Sequence, residues 1–101
     1  MVTKYQKRRR GPASASARLA IERVQTGVRM EKRVLKVLKA LAELKDLTLG
    51  DLLEGIVLHA FEGKAPFTAE SLKQIAELKH IYGLELDSSA SHGLTERRNG
   101  K

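Results

Sequence analysis

The chain has 101 residues, 42% of them hydrophobic, a formal net charge of +7 and no cysteine. That is enough for one small domain, and it excludes a disulfide framework and a cysteine-ligated zinc site. No apolar run approaches a membrane span and no apolar stretch follows the basic N-terminus, so the expectation is a cytoplasmic, nucleoid-associated protein without a membrane partner.

The charge is unevenly placed. Residues 1–29 hold Lys4, Lys7, Arg8, Arg9, Arg10, Arg18, Arg23 and Arg29 against Glu22 alone, while basic and acidic residues cancel over 30–101. The whole excess therefore lies in the first third of the chain, which points to a polyanionic partner, nucleic acid ahead of an anionic membrane surface. Residues 1–18 pair this charge with Gly11-Pro12 and an Ala/Ser run. They offer too little apolar surface to offset ordering, and read as a disordered basic arm. Lys7, Arg8, Arg9 and Arg10 are candidates to follow a phosphate backbone; the alternative is a solubilising tail.

Residues 23–30 alternate. Val24, Thr26, Val28 and Met30 fall on one side; Arg23, Gln25, Gly27 and Arg29 fall on the other. Period two with β-branched residues predicts a short strand with one buried face. The other face carries side chains able to hydrogen-bond base edges in pairs. A lone strand leaves its backbone groups unpaired, so the same strand of a second copy is the simplest partner.

A first helix is predicted from Glu31 or Lys32 to Lys45. Val34, Leu35, Leu38, Leu41 and Ala42 make its apolar stripe, and Val37 and Leu44 widen it, as suits a helix packed against more than one neighbour. Lys32, Lys36 and Lys39 lie opposite; Lys32 is close enough to the strand to reach a phosphate. Thr48 has the form of an N-cap with Asp51 three residues on. A second helix follows from Leu49 to Phe61 or Glu62, with a seam of Leu52, Leu53, Ile56, Val57, Ala60 and Phe61. Its first turn holds Gly50 and outward N–H groups where a phosphate fits. Gly63-Lys64-Ala65-Pro66 ends it. Thr68 opens a third helix reaching Tyr82, with Leu72, Ile75, Ala76, Leu78, Ile81 and Tyr82 apolar and Gly83 as its C′ residue. Residues 87–101 read as a disordered tail.

Enzyme chemistry finds no support in this pattern. His59, His80 and His92 lack metal-ligand spacing, and there is neither a P-loop nor GxGxxG. Asp87, Ser88, Ser89, Ser91 and His92 contain the residue types of a nucleophilic triad but sit in the tail. Glu43, Asp46, Asp51 and Glu54 read as caps and surface charges. No metal or cofactor is expected, and the protein is read as not an enzyme.

The order strand, helix, capped turn and second helix over residues 23–62 resembles the ribbon-helix-helix DNA-binding family, the Arc, MetJ and CopG type. The resemblance implies a mainly α protein with one short β-strand. Two protomers would form an intertwined two-fold dimer whose shared antiparallel β-ribbon enters the major groove. It implies base contacts from Gln25, Gly27 and Arg29, with Arg23 beside them, and a phosphate held by Thr48 and the N–H groups of Leu49 and Gly50. The implied dimer core is Val24, Thr26, Val28, Met30, Leu38, Leu52, Leu53, Ile56, Val57 and Phe61. The expected organisation is an arm over 1–18, a ribbon-helix-helix core over 19–63, a helical extension over 64–86 and a tail over 87–101. About 40 residues rarely enclose a core without disulfides, metals or oligomerisation, which supports a dimer independently.

The function expected is sequence-specific binding of double-stranded DNA by a homodimer, with higher-order assembly on DNA left open, acting as a transcriptional regulator or repressor. Two alternatives stand beside it: an antitoxin whose residues 64–101 bind a toxin, and a helical dimer that mediates protein interaction without DNA.

Overall fold

The computed structural model describes residues 18–97. Its helices are α1 (Lys32–Leu44), α2 (Leu49–Phe61) and α3 (Ala69–Tyr82), followed by a short 3-10 turn at Ser88–Ala90. The three helices lie where hydrophobic periodicity and capping chemistry put them.

Each helix starts on a side-chain cap. Glu31 accepts a 2.7 Å hydrogen bond from the Val34 N–H. Thr48 accepts from Asp51 N–H and Thr68 from Ser71 N–H, both at 3.1 Å. These bonds satisfy donors that a helix cannot satisfy internally. Each helix also ends in the same way. Asp46 (φ 61), Gly63 (φ 71) and Gly83 (φ 69) take the left-handed conformation just beyond the last turns. The following residue then donates back five positions: Leu47 to Ala42, Lys64 to His59 and Leu84 to Lys79, at 2.8–2.9 Å. This is the Schellman closure, and it needs a positive φ that glycine adopts freely and aspartate tolerates.

α1 is the central element and packs against both other helices. Leu41 and Ala42 of α1 and Leu52 of α2 form the buried cluster, with Leu38, Ile56, Phe67, Ile75 and Leu78 packed around it. Leu41 is 1% exposed. Lys45 donates a 2.6 Å hydrogen bond to Ser71 Oγ, tying the end of α1 to the start of α3. Ser71 is buried, and its hydroxyl also accepts from Thr68.

The expected β-strand is not there. Among the described residues there is no strand at all, so the chain is all-α rather than a ribbon-helix-helix protein with a shared β-ribbon. Residues 18–31 form no regular element. The physical reason lies in what alternation encodes. It permits an extended chain, but a strand exists through its ladder of hydrogen bonds, and none of the described segments runs alongside. Nor does the alternation mark a face buried within the chain, since Val24 and Val28 are 78% and 74% exposed. The sequence reading also leaves residues 87 onward without structure; here Asp87 caps a 3-10 turn by accepting a 2.9 Å bond from Ser89 N–H.

Candidate nucleic-acid interface

The segment leading into α1 is tied down by its arginines, Arg23 to α2 and Arg29 to the C-terminal segment. Arg23 lies against α2: Nε donates to Glu54 Oε2 at 2.9 Å, and one terminal nitrogen donates to Glu54 Oε1 at 2.7 Å and Asp51 Oδ1 at 2.9 Å. Asp51 and Glu54 are three residues apart, close to one turn, in the first half of α2, so one guanidinium spans both. The hydrogen bond from Arg23 holds the Glu54 carboxyl below its ordinary range, and Glu54 in turn raises the Arg23 guanidinium.

Arg29 reaches the opposite end of the chain. Its Nε donates to Glu96 Oε1 at 3.1 Å and a terminal nitrogen donates to Glu96 Oε2. This hydrogen bond raises Arg29 and lowers Glu96 relative to their ordinary values. Both partners stay largely in solvent, at 82% and 62% side-chain exposure.

The remaining predicted readers are open. Gln25 and Gly27 are exposed, and a Cβ placed on Gly27 would meet nothing within 4 Å. Lys32 is exposed at the first position of α1. Thr48 spends its side chain on Asp51 N–H, which leaves the outward N–H groups of Leu49 and Gly50 at the start of α2. Gly50 is exposed and Leu49 half-buried. Lys7, Arg8, Arg9 and Arg10 lie outside the described residues.

The residues assigned to a dimer core divide in two. Leu52 is buried in the chain's own core, and Leu38 and Ile56 pack against it. Val24, Thr26, Val28, Val57 and Phe61 are exposed, Phe61 by 80%, while Met30 and Leu53 are half-buried.

Sequence reasoning missed the carboxylates that hold the arginines. Asp51 and Glu54 read as a cap and a surface charge, and Glu96 as part of a tail. The separations are 31 residues for Arg23–Glu54 and 67 for Arg29–Glu96, and no local period signals a pairing so distant. The one available hint was charge: Glu96 is the lone acid in an otherwise basic stretch from Ser88 to Lys101.

Other chemistry is sparse among the described residues. No group of three or more His, Asp or Glu side chains is placed to hold a metal. Asp87 and Ser89 bond each other in a helical cap rather than in a relay through His92. His59 Nδ1 lies 2.7 Å from the carbonyl of Gly55, one turn back. A shallow concavity lined by Ala69, Glu70, Lys73, Gln74 and Glu77 is simply the outer face of α3. Among the described residues no helix is long and apolar enough to cross a membrane.

No protein-family model matches the sequence. Neither the curated proteins nor the solved structures give a significant match.

Proposed function

We propose that this chain binds double-stranded DNA as a homodimer and regulates transcription. The observation that carries the reading is the confinement of the whole +7 excess to residues 1–29, next to the exposed Gln25 and Arg29. Basic residues neutralise phosphates and release counterions, whatever the sequence. Arginine and glutamine add selectivity because their paired donors and acceptors match guanine and adenine edges in the major groove. In this reading Gln25 and Arg29 face the bases, and Gly27 lets the backbone approach. Arg23 holds the segment to α2. Lys32, the N–H groups of Leu49 and Gly50 with their Thr48 cap, and Lys7 to Arg10 take phosphates.

The dimer is supported by the balance of apolar surface. Among the described residues four hydrophobic side chains are buried, while Val24, Val28, Val57, Leu58 and Phe61 are exposed. Val57 and Phe61 are four residues apart on one side of α2, a spacing that presents them together. A second copy supplies the same surface and covers both.

A titration with duplex DNA at increasing salt tests the reading. The logarithm of affinity should fall linearly with the logarithm of salt concentration, with a slope of about −0.9 per phosphate contacted. Arg8→Ala should weaken binding to all sequences alike and flatten that slope. A protein that ignores duplex DNA at low salt contradicts the proposal.

One observation favours a second reading, a protein partner for residues 64–101. Leu72 and Ile81 of α3 are 55% and 68% exposed, apolar surface that the chain's own core leaves uncovered. The partner would be a toxin, or a protein joined through a dimeric interaction module. Co-purification of a second polypeptide that is lost on Leu72→Ser with Ile81→Ser would support it.

A further inference from the structure

We propose that the C-terminal segment carries an intramolecular competitor for anions: the Glu96 carboxylate occupies the Arg29 guanidinium, and a polyanion reaches that side chain only by displacing it. The inference rests on the reading of Arg29 as a DNA contact and adds a control over that contact.

The geometry carries the argument. Arg29 presents Nε and a terminal nitrogen to the two oxygens of Glu96. This two-point fork is the geometry with which arginine grips a phosphate or the edge of guanine. Carboxylate and nucleic acid therefore want the same two donors in the same plane and exclude each other. Composition makes the contact specific. From Ser88 to Lys101 the chain holds Arg97, Arg98 and Lys101 and a single acid, Glu96, and that acid is the group brought to Arg29. The path of the chain helps. Asp87 fixes the 3-10 turn at Ser88–Ala90, and His92 takes a left-handed conformation (φ 64) that redirects the backbone.

The two arginine contacts differ in kind. Arg23 is shared between two carboxylates of a folded helix and acts as a strut. Among the described residues Arg29 has one partner, and both members of the pair are open to solvent. Exposed pairs of this sort are weak and salt-screened. Glu96 is thus a displaceable cover that raises the threshold for binding.

The test uses the full-length protein and a short duplex at about 150 mM salt, comparing wild type, Glu96→Gln, Arg29→Ala, the double variant and Glu85→Gln. The last removes an equal charge elsewhere. Glu96→Gln should tighten binding about two- to five-fold, clearly more than Glu85→Gln, and the gain should vanish when Arg29 is already alanine. An equal effect of both glutamine variants, or a gain that survives Arg29→Ala, overturns the competitor. Arg29 and Glu96 are exposed, so these substitutions leave the core intact. Should duplex DNA not bind at all, the functional reading falls, and the same five proteins titrated with heparin decide the competitor by the same criterion. The NMR resonance of the Arg29 Nε–H, followed without ligand, should shift in Glu96→Gln and stay in place in Glu85→Gln; an unmoved resonance overturns the proposal.

Discussion

Arg23 and Glu54 meet through two hydrogen bonds of 2.9 and 2.7 Å, with the guanidinium extending a third bond to Asp51. The pair fastens the segment before α1 to the first half of α2, and so decides where Gln25 and Arg29 are displayed. Arg23→Ala and Glu54→Gln should therefore weaken DNA binding by similar factors, about two- to five-fold, and the double variant should lose no more than either alone. An Arg23 that reads bases directly would behave differently: removing Glu54 would leave it held by Asp51 alone and tighten binding. Affinity measurements on the three variants separate the two roles.

Acid should release the same strut. Glu54 is held below its ordinary range by its hydrogen bond from Arg23. A carboxyl whose folded value is depressed contributes stability that is fully present above its unfolded value, near 4.3 for glutamate. That contribution is lost as pH falls through the lower folded value. Glu96 follows the same rule through Arg29. Backbone NMR chemical shifts over residues 18–31 should therefore hold steady from neutral pH down to about 5 and move toward unstructured values below about 4. In Arg23→Ala that acid transition should be weaker.

Asp46 holds the left-handed position that closes α1 (φ 61). Two costs meet there: a Cβ in the left-handed region and a carboxylate beside the negative end of a helix dipole. Asp46→Gly removes both and gives up only unfolded-state restriction. It should stabilise the fold by about 0.5–1 kcal/mol, raising the thermal midpoint by several degrees in a domain of this size. Differential scanning calorimetry reads this directly, and a lowered midpoint would show that the Asp46 side chain supports the turn.

Phe61 is 80% exposed at the end of α2, so its replacement does not disturb the chain's own core. Phe61→Ser should shift sedimentation from dimer to monomer while the helical signal of the folded chain persists. Leu52→Ala removes a buried side chain of the same helix and should instead destabilise the fold by about 2–5 kcal/mol. If Phe61→Ser sediments as wild type does, the proposed dimer does not use this surface.

Local physics explains what the sequence disclosed. Thr48 and Thr68 announced helix starts because a capping hydroxyl acts within three residues. Leu38, Leu41 and Leu52 announced the core because a helix repeats its faces every few residues. Val24, Thr26, Val28 and Met30 misled for the converse reason: their alternation is local, whereas a strand depends on a neighbour that no period reveals. The arginines were legible as charge but not as contacts. Nothing near Arg29 points to Glu96, and the half-buried Lys45–Ser71 bond is equally silent, since a lysine at a helix end and a serine in a first turn are ordinary surface choices. The positive charge of residues 1–29 is a matter of composition, and Lys7 to Arg10 fall outside the described residues.

Selection of the full-length protein on a random duplex pool, at about 150 mM salt, tests the central claim most directly. The account predicts enrichment of a short inverted or tandem repeat, lost at one base position when Arg29→Ala is selected in parallel, with affinity for the wild-type site reduced about five- to hundred-fold. A pool that emerges unenriched, with weak binding that fades steeply as salt rises, would contradict sequence-specific recognition and leave only the electrostatics of the arm.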